Sequence, residues 1–273
     1  MAEFNTKREY LIQAIKSIIN QTFQDFEIII VDDNGINNIN SIIREFNDNR
    51  IRVVRNDKNM GFALALNEGI KIAQGKYIVR MDTDDLCTVD RIEKIYKFIE
   101  ENPQYDAVGS LAVEFSDNTM HGSIGSPGEK TEKNIINGDM LVHASTIIKR
   151  STLTKIGMYK DYRRSQDFVL WSDILLNKGK LYCIDEVLFL YRVNPLDYKK
   201  RSLRARKYEI KAKLIYFPKL KASIFDYLKI AKSIIAGLLP VIFVRSYRAR
   251  FVLGQDNKDK YDYLNKYIDY EKK

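Results

Sequence analysis

Apolar positions along the first half of the chain change period repeatedly, from helical to extended and back. Tyr10, Leu11, Ala14, Ile15, Ile18 and Ile19 recur at helical spacing, which predicts an amphipathic helix closed by Gln21-Thr-Phe. Phe26 to Val31 is a continuous apolar, β-branched run and reads as a buried strand. A helix near Ile39 to Phe46, a short strand from Ile51 to Arg55, a helix from Gly61 to Gln74 with Gly75 as its stop, and a strand from Tyr77 to Met81 follow. A helix from Val89 to Glu101 ends before Pro103, and Ala107 to Phe115 reads as strand. Later, Thr146 to Lys149 reads as strand, and a helix begins near Asp167 and runs to Asn177. Helices alternating with apolar strands predict an α/β fold with a mostly parallel sheet and crossover helices. Such sheets bind ligands outside the C-terminal ends of their strands.

Two of these strand ends are acidic: Val31-Asp32-Asp33-Asn34-Gly35 and Met81-Asp82-Thr83-Asp84-Asp85. Asp-Asn-Gly is also ordinary turn chemistry, and Asp85 is also a plausible helix cap. Three carboxylates within four positions repel one another unless a cation lies between them, so the second segment points to a hard metal and a phosphate. If the strand alternation persists to its end, Asp82 and Asp84 share one face and Thr83 points away.

The chain has 273 residues, 45% of them apolar, enough for one large core or a core with a small appendage. Cys87 and Cys183 lack metal-ligand spacing and read as two reduced thiols. No apolar stretch follows the charges of the first eight residues, so no signal peptide is expected and the chemistry is expected in the cytoplasm. The net charge of +9 is uneven: residues 1–198 hold 25 Lys and Arg against 29 Asp and Glu, whereas 199–273 hold 20 against 7. The basic tail also carries Ile224, Phe225, Leu228, Ile230, Ile234, Ile235 and Leu238 among lysines. Its uncharged run from Ser233 to Val244 is shorter than the roughly 20 residues a spanning helix needs and is interrupted by Pro240. The expectation is attachment to an anionic membrane surface at the inner face of the cell membrane, with packing as ordinary core the alternative. Nucleic acid is not expected, because the tail's tyrosines form no stacking platform among the basic residues. A phosphotransferase is disfavoured by the lack of a glycine-rich phosphate loop.

Three further blocks complete a pattern. Ala14 through Asp33, Asn59-Met-Gly61 through Leu66-Asn67-Glu-Gly69, and Gly75 through Asp85 are followed by His143-Ala-Ser145 with Arg150, Gln166-Asp-Phe-Val-Leu-Trp171, and Leu190-Tyr-Arg192. In order and spacing, over roughly residues 4–195, they resemble the family 2 glycosyltransferases, particularly bacterial members that build lipopolysaccharide or capsule.

The resemblance implies a GT-A fold, Rossmann-like, with a glycosyltransferase domain over 1–198 (donor half about 1–115, acceptor half about 116–198). The basic, helical tail over 199–273 follows it. It implies a UDP-sugar donor, a glycan or lipid-linked glycan acceptor, and inversion of configuration. Asp85 with Asp84 would hold Mn²⁺ or Mg²⁺; Asp33, Asp82, Asp84, Arg80 and Asn67 would serve the donor. Asp167 would be the general base, with His143, Gln166 and Trp171 in the acceptor or diphosphate pocket. Many members have Glu where Gln166 stands. His121 lies in the glycine-rich loop Asn118 to Gly128, read either as a mobile lid or as a plain surface connection. Of the family's opening hydrophobic strand only Glu3-Phe4-Asn5 remains. That implies a truncated first strand, exposed apolar surface beside it, and either an upstream start or an impaired nucleotide-sugar binder.

Overall fold

The computed structural model describes residues 1–116, 119–193 and 203–238, together with Leu264 and Tyr267. The expected helix–strand alternation is realised in order. β1 (Ala2–Glu3), α1 (Arg8–Ile19), β2 (Ile28–Asp32), α2 (Ile39–Arg44), β3 (Ile51–Arg55), α3 (Phe62–Ile72) and β4 (Tyr77–Val79) make up the first part. They are followed by β5 (Leu86–Cys87), α4 (Arg91–Glu101), β6 (Ala107–Ser116), β7 (Thr119–Ile124), β8 (Gly128–Lys130) and α5 (Glu132–Asn137). Then come β9 (Ile147–Lys149), α6 (Arg150–Lys155), α7 (Gln166–Leu176), β10 (Leu181–Arg192), α8 (Leu203–Lys219) and α9 (Leu228–Leu238). The chain is a mixed α/β fold with helices at its C-terminal end.

The first strand is a two-residue β1 that pairs in parallel with β2, Ala2 opposite Val31 and Glu3 opposite Asp32. β2 pairs in parallel with β3. The second sheet runs β4-β9-β6-β10-β5 and is mixed: β6 and β10 are parallel, whereas β9 enters antiparallel between β4 and β6. The two sheets are not joined by strand pairing among the described residues. An apolar cleft of about 620 Å³ separates them, lined by Ile29 and Val31 on one side and Tyr77, Ile78 and Val79 on the other.

The segment read as a lid or surface connection is strand β7, paired antiparallel with β6, and His121 on it bonds the Ser116 hydroxyl at 2.5 Å. Alternating burial along Thr119–Ile124 fits a strand laid on the sheet, so the lid reading is corrected there. Asn118 and the tail residues Leu239 to Val244 lie outside the described residues, as does the boundary near 198.

The largest core lies between the second sheet and α3, α5, α6, α7 and α8; Trp171, Ile174, Leu181, Tyr216 and Phe217 are all at most 1% exposed. A second core joins α1 to β2 and the ends of β5 and β10 through Leu11, Ile15, Ile30, Cys87 and Phe189. The two cysteines are free and buried.

α8 is anchored in the main core. Ala212, Tyr216 and Phe217 are buried at helical spacing, and the Tyr216 hydroxyl donates to buried Asp173 of α7 at 3.0 Å. Lys160 Nζ donates to the same carboxylate at 2.9 Å and to the Tyr216 oxygen at 2.9 Å. Hydrogen bonds to a charged partner contribute about 1.5–3 kcal/mol, and an underbonded buried carboxylate costs a similar amount. Tyr216→Phe is therefore expected to lower the unfolding free energy by about 2 kcal/mol in urea denaturation. A change within error would mean that α8 is not part of the cooperative core.

Candidate active site

The site grows out of the end of β4. The strand stops at Val79, two residues short of the sequence expectation, because the chain turns there to bury Arg80 and Met81. The acids consequently sit on a bend, yet Asp82 and Asp84 remain half-buried while Thr83 and Asp85 are buried, so the alternation survives the loss of the strand.

Arg80 is 3% exposed; its guanidinium bonds the Asp82 carboxylate and the Met81 carbonyl and lies 4.7 Å from the centre of the Phe62 ring. This buried cation offsets part of the acid repulsion. Further contacts to the bend come from the end of β10. β5 pairs with β10 so that Leu86 is opposite Leu190, which brings Arg192 beside the bend. Its backbone N–H donates to Asp85 Oδ1 at 2.7 Å, its Nε to the Asp84 carbonyl at 2.6 Å, and its terminal nitrogen to Gln13 of α1 at 2.7 Å.

Asp85 remains electrostatically unsatisfied. Burial, and then the negative charges of Asp84 and Asp82, raise its pKa well above the usual carboxylate range, and its Oδ2 is buried without a hydrogen-bond partner. An orphaned carboxylate oxygen among like charges suits a cation. Among the described residues no three His, Cys, Asp or Glu side chains form a closed metal cage. The donor set fits a cation that takes its other ligands from a diphosphate and water, as Mg²⁺ commonly does.

A cavity of about 750 Å³ opens next to the bend. Asp82, Phe62 and His143 line it together with Gln166, Asp167 and Phe168, so Asp82 and Asp167, from distant segments, share one space, with Glu209 a third carboxylate in its lining. Asp167 occupies the first turn of α7, where its Oδ1 accepts the Phe168 N–H at 2.8 Å. Burial raises its pKa, with the nearby N–H groups partly opposing the shift. A carboxylate of raised pKa is a stronger base. His143 is bonded through Nε2 to the Tyr159 hydroxyl at 2.6 Å. Burial and then the Arg80 charge lower its pKa well below 6.5, so its imidazole is neutral. The two histidine candidates thus separate: His143 lines the cavity and His121 lies on β7.

Three expected site residues make structural contacts. Asp33 is 2% exposed; its carboxylate accepts from Asn56 Nδ2 at 2.8 Å, Met60 N at 2.9 Å and Gly61 N at 2.8 Å. The backbone at Gly61, with φ 89°, turns these N–H groups toward it, a conformation glycine adopts freely. Asp33 therefore fastens the entry of α3. Asp32 is likewise engaged, with Arg55 at 2.7 Å and Gly35 N at 2.9 Å, so only the second acidic strand end supplies carboxylates to the cavity. Asn67 is held by both backbone groups of Tyr159, at 2.8 and 2.9 Å, and clamps α3 to the segment before α7. Trp171 is fully buried one turn beyond Asp167 and meets the His143 ring edge-on at 5.9 Å, supporting that ring from behind. Gln166 does line the cavity.

Several contributors were not legible as such. Arg192 belongs to the Leu190-Tyr-Arg192 block but serves the acidic bend, while Tyr191 lines the cavity. Arg163, Arg164, Arg206, Glu209 and Lys213 also line it, the last three from α8. The basic composition of the tail was the only signal that α8 carries cations, and it did not say where they go.

A Rossmann-like α/β scaffold with an acid cluster at a strand end and an opposed carboxylate on a helix N-terminus defines a GT-A transferase. The sequence profile described as Glycosyl transferase family 2 matches residues 2–149, more than half of the chain, and the chain belongs to that family. Its relatives include the uncharacterized glycosyltransferase MJ1057 of Methanocaldococcus jannaschii, 33% identical over 204 residues covering 72% of this chain and 70% of the relative. Another is the Escherichia coli enzyme named UDP-Glc:alpha-D-GlcNAc-diphosphoundecaprenol beta-1,3-glucosyltransferase WfaP, 28% identical over 194 residues, 71% of this chain and 76% of that one. Among solved structures, the mannosyltransferase PcManGT of Pyrobaculum calidifontis, in complex with GDP-Man and Mn²⁺, shares the fold. Its TM-score is 0.65 at 16% identity, covering 100% of this chain and 86% of that one.

If Asp33 is a strut, Asp33→Ala strands three donors, each costing about 1 kcal/mol or more when buried. The expected readout is a melting temperature lowered by several degrees; Asp33→Ala with unchanged melting and lost donor binding would restore the recognition role.

Proposed function

We propose that this chain is a metal-assisted, inverting glycosyltransferase that moves a hexose or N-acetylhexosamine from a UDP-sugar to a growing surface glycan of lipopolysaccharide or capsule type. The observation that carries the reading is the cavity shared by Asp82 and Asp167. The printed activity of WfaP, with a UDP-linked donor and a lipid diphosphate-linked acceptor, supports the donor and acceptor classes. The GDP-Man and Mn²⁺ of PcManGT support a nucleotide-sugar with a divalent ion.

In this reading Asp85 and Asp84 would hold Mn²⁺ or Mg²⁺, which would supply positive charge for the leaving diphosphate. Arg80 fixes Asp82 and keeps the bend from opening under its own repulsion. Across the cavity Asp167 receives the proton of the acceptor hydroxyl, and burial keeps that proton's new site sufficiently basic. Neutral His143, braced by Tyr159 and Trp171, supplies a hydrogen bond to the sugar or acceptor without competing as a base. Gln166 beside the base adds an amide for the acceptor in place of a second negative charge. With Asp167 as base and direct attack of the acceptor hydroxyl at the anomeric carbon, the reaction is a single displacement with inversion. The basic tail keeps the enzyme peripherally at the inner face of the cell membrane, where a lipid-linked glycan is presented.

A panel of UDP-sugars with product anomers assigned by NMR tests this reading. An inverted product is expected, and Asp167→Asn should lower kcat by about 10²–10⁴ with little change in donor KM. Retention of configuration, or undiminished turnover in the variant, contradicts it.

The pH profile gives a separate check. The base works ionised, so kcat rises with pH through the folded pKa of Asp167, which burial places above the ordinary value of 3.8. That acid limb should disappear from the residual activity of Asp167→Asn. An unchanged limb in the variant would assign it to another group.

A further inference from the structure

The acceptor-side wall formed by α8 continues into a surface of a different kind. After α8 the chain makes a short 3-10 turn, Ile224–Tyr227, and enters α9. One side of α9 is packed: Ile230 and Ser233 are each 6% exposed, and the Ser233 hydroxyl meets Arg206 and Glu209 of α8 at 3.0 and 3.2 Å. The opposite side is apolar as well. Ile224 is 78% exposed, Phe225 76%, Leu228 65% and Ile235 60%.

Leu228 and Ile235 are two helical turns apart on one face of α9, with Lys232 between them, and Ile224 and Phe225 stand exposed on the turn that leads into it, so the four apolar side chains form a stripe interrupted by one lysine. An ordinary solvent-facing helix places polar residues there. Exposed apolar side chains in a contiguous patch mark an interaction surface.

Charge identifies the occupant. Between residues 210 and 238 there are six lysines and one carboxylate. That carboxylate, Asp226, is held by Lys229, the Ser223 hydroxyl and the Ser223 N–H, which lower its pKa to about 2. Lys211, Lys219 and Lys221 are exposed on the same helical unit, and Lys232 is exposed on the face of α9 that carries Leu228 and Ile235. Apolar residues bordered by lysines match a bilayer with anionic headgroups, where the stripe enters the acyl boundary and the lysines stay among phosphates. Nucleic acid would take the cations but leave the aliphatic stripe in water. No helix among the described residues is long and apolar enough to cross a membrane, so the contact is interfacial.

We propose that the stripe Ile224, Phe225, Leu228 and Ile235, with its border of lysines, docks on an anionic lipid bilayer. The docked face sits on the same helical unit that walls the cavity through Arg206, Glu209 and Lys213. The acceptor then reaches Asp167 from the lipid surface along α8. This deepens the reading of a surface-glycan transferase and rests on it for the acceptor alone; the docking itself does not require it.

Co-sedimentation of the full chain with phosphatidylcholine vesicles, with and without phosphatidylglycerol, tests the proposal. Binding is expected only with the anionic lipid and should weaken as salt rises. Phe225→Ser combined with Leu228→Ser, both at exposed positions, should reduce partitioning by about tenfold or more. Lys219→Glu combined with Lys221→Glu should reduce it to a similar degree and flatten the salt response.

Equal binding to neutral vesicles, or full binding by the Phe225/Leu228 variant, overturns the proposal. So does self-association through this face in light scattering without vesicle binding. UDP-sugar hydrolysis measured without lipid separates the two readings: it should be unchanged in both double variants. Its absence from the unaltered chain would count against the transferase reading while leaving vesicle binding to be judged alone.

Discussion

The structure depends on holding three carboxylates on one bend without letting it fly apart. Like charges a few ångströms apart in a partly desolvated setting destabilise a fold by several kcal/mol unless countered. Here Arg80 counters Asp82, while Arg192 at the end of β10 holds the Asp84 carbonyl through Nε and gives Asp85 its backbone N–H. The compensation stops short of Asp85 Oδ2. That residual imbalance is what the proposed cation would satisfy.

The two arginines also tie the bend to the rest of the molecule. Arg192 reaches Gln13 on α1 and lies 4.1 Å from the Tyr10 ring centre, joining the second sheet to the helix that covers the first. On the opposite wall, Asp167 is carried by a helix that Tyr216 and Lys160 fasten to α8 through Asp173. Lys160 follows Tyr159, which holds both Asn67 and His143. Each half of the cavity is thus braced by long-range polar contacts across a packed core. Such bracing keeps opposed groups within reacting distance of a bound substrate.

Much of this was legible in the sequence. Strand Ile51–Arg55 has the predicted bounds, and α1, α3, α4 and α7 lie within two or three residues of theirs, because apolar period and Gly, Pro and Asn punctuation decide them locally. The acidic segment after Val79 and the carboxylate at the start of α7 were also readable, since charge at the end of an apolar run has few structural uses. Which of the two acidic strand ends faces the cavity was not readable. Asp33 and Asp82 have similar neighbours, and the difference lies in the Asn59–Gly61 turn folding back onto Asp33. Arg192 was hidden for another reason: it meets Asp85 across 107 residues, through a β5–β10 pairing that no local pattern encodes. α8 concealed its core face because lysines flank the buried Ala212, Tyr216 and Phe217.

The most direct test of the central claim is an EPR titration of Mn²⁺ into the chain, with and without UDP. An acid cluster that needs both a cation and a diphosphate to be satisfied predicts tighter Mn²⁺ binding when UDP is present, and loss of that gain in Asp85→Ala. The same Mn²⁺ affinity with and without UDP, or a gain that survives in Asp85→Ala, would contradict it.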